Sequence, residues 1–473
     1  MPAALKALFS TSIYSNYFWS VLNLTLSKGL RFLGILICIR QVGMHAWGEI
    51  ASTLVTITIL GLIVDQGLAG TPQIYQVRRR ELDRPLLAKI SAYRAVLALA
   101  VIAVLHASAA AFGNITGLVL AYSFVLLPRA LAIDWLFHRR EQYQLTMVIA
   151  SVRTLLFLGL VAAFVRPGAS AASVILMEIL SELGGLAFSY LLLWTVGKGP
   201  GKGGGAVELR ALLLFSFPVM ITTILDTIPG SADIFFLRHF RGYESVGQYD
   251  IGGKIGFFYF FFGAALIQII LPKLARLHSL GDETKMGEIL SASSKLLLVL
   301  TSALMIPSFY FPGPIVGAVF KHAYPLTVFV FTWIPVWVCL SCITMLNTIV
   351  LLGAGKRREY LYGAAMACAL NIAGNWAFIG WFGDHGVVFA RILSESALFI
   401  YAYLKLPPAL RGGLRPDMGV QLLNLAVLLG LFLGSARLGH PMIGFTLSLV
   451  WCAGVVARQR TFSRPVFRVF ARN

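Results

Sequence analysis

The chain has 473 residues, of which 58% are hydrophobic and 12% charged, about half the charged share of ordinary soluble domains. That balance excludes a soluble globular fold, and apolar runs of about 20 residues from end to end point to a polytopic membrane protein. The formal charge of +19 falls mostly in short clusters between those runs, which makes anionic membrane lipids the partner and argues against nucleic acid.

The mean hydropathy is +0.80. Backbone groups in lipid must be satisfied within each segment, so helices are expected; the short alternating strands of a β-barrel are not found. In chain order, the first lobe (1–195) holds predicted spans near 16–39, 46–69, 86–108, 113–136, 143–165 and 169–195. The first run is full length and carries Lys28 and Arg31, so a cleavable signal is not expected. VGKGPGKGGG (196–205) lacks the order of a phosphate loop and reads as a cytoplasmic linker, 196–210. The second lobe (211–406) holds spans near 211–237, 248–272, 289–310, 325–352, 361–381 and 385–405. Two more, near 418–436 and 441–458, fall in 407–473 with a basic tail.

With both termini cytoplasmic, Lys and Arg divide 24 to 6 between the inner and outer connections, as the positive-inside rule requires. FHRREQY (137–143) and GKRREYLY (355–362) stand at the same place in each half. RQVGMHAWGEI (40–50) and RHFRGYESVGQYDI (238–251) match as hairpins. The fold class expected is therefore all-α and polytopic, with about fourteen transmembrane helices. Twelve form two parallel-repeat six-helix lobes, and two are C-terminal.

Four stretches add a resemblance. They are ICIRQVGMHAWGEIASTL with DQGLAGT (37–54, 65–71), SFPVMITTILDTIPGSADIFFLRHFRGYESVGQYDI (216–251), ILPKLARL (270–277) and LNIAGNWAFIGWFGDHGVVFARILSE (370–395). They resemble the polysaccharide-biosynthesis flippases of the multidrug/oligosaccharidyl-lipid/polysaccharide exporter superfamily. The resemblance implies a secondary transporter that moves a polyprenyl-pyrophosphate-linked oligosaccharide to the periplasmic leaflet of the bacterial inner membrane by alternating access. It serves O-antigen or exopolysaccharide synthesis, with a polysaccharide polymerase and export machinery as partners. Relatives flip the peptidoglycan precursor or export drugs by cation antiport, and these are the alternatives.

Charges inside the apolar runs carry the chemistry, because each is costly unless it faces a wet cavity or a partner. Lys28 and Arg31 are three residues apart on one helix face, and Arg129 and Arg153 lie too deep to snorkel easily. These four form a candidate anion site for a pyrophosphate; the competing reading pairs them with Glu178 and Glu182 to fix helix packing. Lys89, Arg94 and Lys295 are expected to snorkel.

Glu178 and Glu182 are like charges one turn apart. Asp226 sits among Pro218, Pro229 and Gly230, residues that kink helices. With Glu395, these acids are candidate sites for a coupling proton or sodium ion; structural pairing is the other reading. Asp233 is expected to be partly wet or paired with Arg238. Asp250 with Lys254, and Arg391 with Glu395, are i,i+4 pairs. FFYFFFG (257–263) is expected to face lipid, and Asn371 and Asn375 to bond sugar or a neighbouring helix. Cys339 and Cys342 form a CxxC inside a span, so packing is favoured over metal or redox use. No cofactor, metal cluster or nucleophilic constellation is expected, which sets a membrane enzyme aside.

Overall fold

The structure, a computed structural model, describes residues 13–68, 84–113, 115–139, 142–195, 209–256, 274, 277, 280–353 and 356–458. The linker 196–205, Arg140 and Glu141 of the first RRE, most of ILPKLARL, FFYFFFG and the tail beyond Arg458 lie outside these residues.

All regular structure among the described residues is helical. The first six predicted spans appear as α1 (Ile13–Val42), α2 (Met44–Asp65), α3 (Arg84–Phe112), a broken fourth helix, α7 (Tyr143–Phe164) and α8 (Ala171–Thr195). The fourth helix has three pieces, α4 (Gly117–Ser123), α5 (Leu126–Leu131) and α6 (Asp134–Arg139). Pro128 explains the first gap: it has no N–H for the carbonyl of Phe124, where α4 gives way to α5. The second gap is an extended residue, Ala132, at φ −60° and ψ 134°.

The remaining elements are α9 (Leu209–Arg241), α10 (243–256), α11 (Glu283–Tyr310), α12 (Pro312–Phe320), α13 (Pro325–Gly353) and α14 (Arg357–Phe382). A 3₁₀ turn (Gly383–His385), α15 (Gly386–Lys405), α16 (Pro408–Leu438) and α17 (Pro441–Arg458) follow. Ten described stretches are long and apolar enough to cross a membrane. One of them, Arg358–Lys405, contains both α14 and α15, and α17 is shorter.

Packing divides the chain into two units. The first comprises residues through Arg238 together with Gly242–Gly247; the second comprises His239–Arg241 and everything from Gln248. In the first, α7 lies between α1 and α8. Its apolar core joins Leu68, Ile90, Trp135, Leu136 and Leu212.

The matched hairpins of the repeat meet inside this unit. Gly43 and Gly242 take left-handed turns at φ 82° and 86°, which cost glycine nothing. Five residues beyond each turn, Gly48 and Gly247 cross backbone to backbone. A Cβ on Gly48 would stand 1.7 Å from the carbonyl oxygen of Tyr243, and one on Gly247 would stand 2.4 Å from that of Met44. The contact is reciprocal, because each glycine abuts the residue that follows the other's turn.

In the second unit, α14 and α15 form a hairpin, α15 packs on α13, and α11 packs on α13 and α16. The two C-terminal helices are fastened to α11 by a polar ladder. Lys295 pairs with Asp417 at 3.7 Å, Gln421 donates to the carbonyl and hydroxyl of Ser294, and Asn424 donates to Ser302 at 2.8 Å. Trp451 donates to Asn424 at 3.0 Å, and Tyr310 meets Ser448 at 3.0 Å. Lys295 thus pairs with a helix the sequence left without a role.

Candidate functional site

The site begins with close helix approach. On α1, a Cβ at Gly34 would fall 2.8 Å from the ring of Phe157, so only glycine lets that ring of α7 lie against α1. Arg31, one turn earlier, stacks over the same ring at 4.3 Å and pairs with Glu178 of α8. On α8, a Cβ at Gly185 would meet the Arg153 side chain at 2.8 Å. Glycine there lets Arg153 lie across α8 and reach back to Glu182, one turn away.

Glu182 is shared. Arg129 donates to its Oε1 at 3.2 Å, and Arg153 faces its Oε2 at 3.1 Å. Arg153 also donates to Asp134 at 2.9 Å. Arg129 donates to the hydroxyl of Tyr122 at 3.0 Å, and that hydroxyl donates to Glu178 at 3.5 Å. One continuous network therefore runs Arg31–Glu178–Tyr122–Arg129–Glu182–Arg153–Asp134.

Three of the four predicted cations are brought together with both predicted glutamates. Charge repulsion between Glu178 and Glu182 is offset because each faces a guanidinium. The glutamates are the buried partners, with side chains 4% and 11% exposed; the arginines retain 25–32%. The guanidiniums thus form the more accessible side of the network. Lys28 is exposed and, among the described residues, has no ion pair or hydrogen bond. Three arginines against three carboxylates leave it as the surplus charge.

The other predicted acids lie elsewhere. Asp226 is on the exposed face of α9, which runs as one helix through Pro218 and Pro229. Asp233 is fully buried rather than partly wet, and Arg238 stacks instead over Tyr243 at 5.1 Å. In the second unit, Trp337 donates to Glu395 at 3.3 Å. Arg391 covers the Trp337 ring at 4.7 Å. Asp250 and Lys254 pair as expected. Asn375 donates to Asn371 at 3.1 Å, both fully buried. Among the described residues, no three His, Cys, Asp or Glu gather as a metal site.

Tyr122, Phe157 and the partnership of Asp134 with Arg153 were not anticipated. Glycines 34 and 185, one turn from Arg31 and Glu182, were the signal available: small residues on a helix face that also carries a charge mark where a neighbour comes close.

Residues 13–278, more than half of the chain, match the family model described as polysaccharide biosynthesis protein. No curated protein matches the sequence at a significant level. Among solved structures, the fold is similar to the lipid II flippase MurJ in an inward closed conformation. That match has a TM-score of 0.69 at 12% identity and covers 93% of this chain and 100% of that one. It is also similar to an outward-facing multidrug resistance MATE family transporter of the MOP superfamily, with a TM-score of 0.59 at 14% identity, covering 88% and 98%. A MOP superfamily transporter from Pyrococcus furiosus, whose binding pocket is of reversed polarity, matches with a TM-score of 0.58 at 13% identity, covering 83% and 95%. These three solved structures are of transporters or a flippase, and by its own sequence the chain belongs to the polysaccharide biosynthesis protein family.

Proposed function

We propose that the protein is a secondary transporter that flips a polyprenyl-pyrophosphate-linked oligosaccharide from the cytoplasmic to the periplasmic leaflet of a bacterial inner membrane. It works by alternating access, has both termini in the cytoplasm, and supplies O-antigen or exopolysaccharide assembly. A polysaccharide polymerase and export machinery are the downstream partners. The observation that carries this reading is the charge balance of the first unit. Arg31, Arg129 and Arg153 are matched by Glu178, Glu182 and Asp134, while Lys28, one turn from Arg31, is exposed and unmatched among the described residues. A surplus cation beside part-exposed guanidiniums suits an anionic headgroup. Lys28 supplies a compact charge, and Arg31 supplies a fork for phosphate oxygens. Membership of the polysaccharide biosynthesis family supports the saccharide part of the substrate.

In this reading the paired acids couple transport to an ion. A proton arriving at Glu178 or Glu182 removes one negative charge from the network, freeing Arg31 or Arg129 for the phosphates. Loss of the proton restores the pair and weakens the hold on the headgroup. Asp226 and Glu395 are further exchange sites for a proton or sodium ion. The Pyrococcus furiosus protein, whose reversed pocket polarity suggests a different function within the same fold, is consistent with pocket charge governing the cargo.

The experiment is translocation of a polyprenyl-pyrophosphate oligosaccharide by the purified protein in proteoliposomes, with and without imposed proton and sodium gradients. Protein-dependent flipping, faster under one gradient, is expected. Transport of organic cations without flipping of any lipid headgroup would sink the proposal in favour of a drug exporter. Movement of a peptidoglycan precursor alone would reassign the cargo.

A further inference from the structure

The second gap in the fourth helix lies between two members of the charge network. Arg129 is three residues before Ala132, and Asp134 is two residues after it. On an unbroken helix these two side chains, five residues apart, would point roughly 140° away from each other. The gap lets Arg129 reach Glu182 and Tyr122 while Asp134 reaches Arg153.

A helix gap leaves carbonyls without their usual donors, and in an apolar surrounding these must be answered. The carbonyl of Arg129 keeps a backbone bond from the N–H of Ala132 at 3.3 Å, and Arg94 of α3 reaches it and the carbonyl of Ala132 as well. Its Nη2 donates to the carbonyl of Arg129 at 3.1 Å and its Nη1 to that of Ala132 at 3.5 Å. Tyr190 of α8 donates to the carbonyl of Leu131, between them, at 3.1 Å. Arg94 is 6% exposed and is itself held by Asp65, the last residue of α2, at 2.9 Å. It therefore points into the unit and does not snorkel. One planar guanidinium ties three pieces of chain together, which an ammonium cannot do in the same plane.

We propose that Arg94 is the positioning residue of the candidate site. By fastening the gap after Leu131 to Asp65, it sets Arg129 and Asp134 on their separate partners and so shapes the anion-binding face. This rests on reading the network as the pyrophosphate site.

The test uses full-length protein in detergent, with farnesyl diphosphate as the probe and thermal midpoint as a second readout. Arg94→Ala should weaken farnesyl diphosphate binding about tenfold or more, the scale of losing hydrogen bonds from a charged group. Arg94→Lys should recover only part of that loss. In a double-mutant cycle, Arg94→Ala and Glu182→Gln should lower the midpoint non-additively, because the clamp acts through the Arg129–Glu182 contact. A residue that only holds the fold together would lower the midpoint additively and leave the affinity of the folded protein unchanged. Native affinity in Arg94→Ala, beside a clear loss in Lys28→Ala, would overturn the proposal. If Arg94→Ala does not fold, Asp65→Asn replaces it in both arms, with a smaller loss expected and unchanged affinity again fatal. If the native protein binds no farnesyl diphosphate, the reading of the site fails. The cycle then decides the clamp alone: additive losses remove it, and non-additive losses keep it.

Discussion

Arg31 and Glu178 are 147 positions apart in sequence yet share an ion pair between α1 and α8, roofed by the ring of Phe157. Breaking one side of a buried pair strands the other charge. Arg31→Met strands the buried Glu178 carboxylate and should destabilise by about 3 kcal/mol, Glu178→Met leaves only a part-exposed guanidinium and should cost less, and the double replacement should cost less than the sum. Thermal melting of the four proteins checks this. Additive losses would mean that the two side chains do not depend on each other.

Lys28 is exposed and makes no ion pair or hydrogen bond among the described residues, so its removal should leave the fold largely intact. Lys28→Ala should change stability by less than about 0.5 kcal/mol while weakening farnesyl diphosphate binding about tenfold, the scale of one charge-assisted contact. Titration by fluorescence, with a melting curve on the same sample, separates the two effects.

The crossing of Gly48 and Gly247 has no room for a methyl group. Gly48→Ala and Gly247→Ala should each force the backbones apart and destabilise by about 2 kcal/mol or more, although alanine is the better helix former. At Gly253, where a Cβ meets nothing within 4 Å, the same change should be neutral or stabilising. Melting temperatures of the three variants decide it.

Asn424 bridges Ser302 and Trp451 in a buried setting. Asn424→Ala leaves both partners without it, so a loss of about 1–3 kcal/mol is expected. Asn424→Asp, which cannot donate to Ser302 as the amide does, should be worse still. Limited proteolysis between α15 and α16 reports whether the C-terminal pair detaches.

Asp282 caps α11, accepting from the backbone N–H of Lys285 at 3.1 Å and pairing with its ammonium at 2.7 Å. The hydrogen bonds from the Lys285 side chain and backbone hold the carboxyl below its usual range. The folded pKa is the lower one, so this contribution is present above about pH 4, the ordinary aspartate value, and fades as pH falls through the folded value. The protection factor of the amides at the start of α11, which removes the intrinsic pH dependence of exchange, should therefore fall on acidification in the native protein but not in Asp282→Ala.

The sequence alone determined that this is a helical, multi-pass chain, because apolar runs long enough to cross a bilayer and the scarcity of charge follow from composition. It also singled out Lys28, Arg31, Arg129, Arg153, Glu178 and Glu182, since a charge in an apolar run is conspicuous without any coordinates. The matched turns at Gly43 and Gly242 were legible for a similar reason: a left-handed residue leaves a glycine behind. What the linear pattern does not encode is distance between helices. Only the tertiary structure paired Arg31 with Glu178, inserted Tyr122 between the two glutamates, and left Lys28 as the surplus cation. Only packing buried Arg94 against a gap in the fourth helix and fixed α16 and α17 to α11. Depth along a helix can be counted from its ends, but the direction in which a side chain meets its neighbour depends on crossing and breakage, and those are set by contacts among residues far apart in the chain.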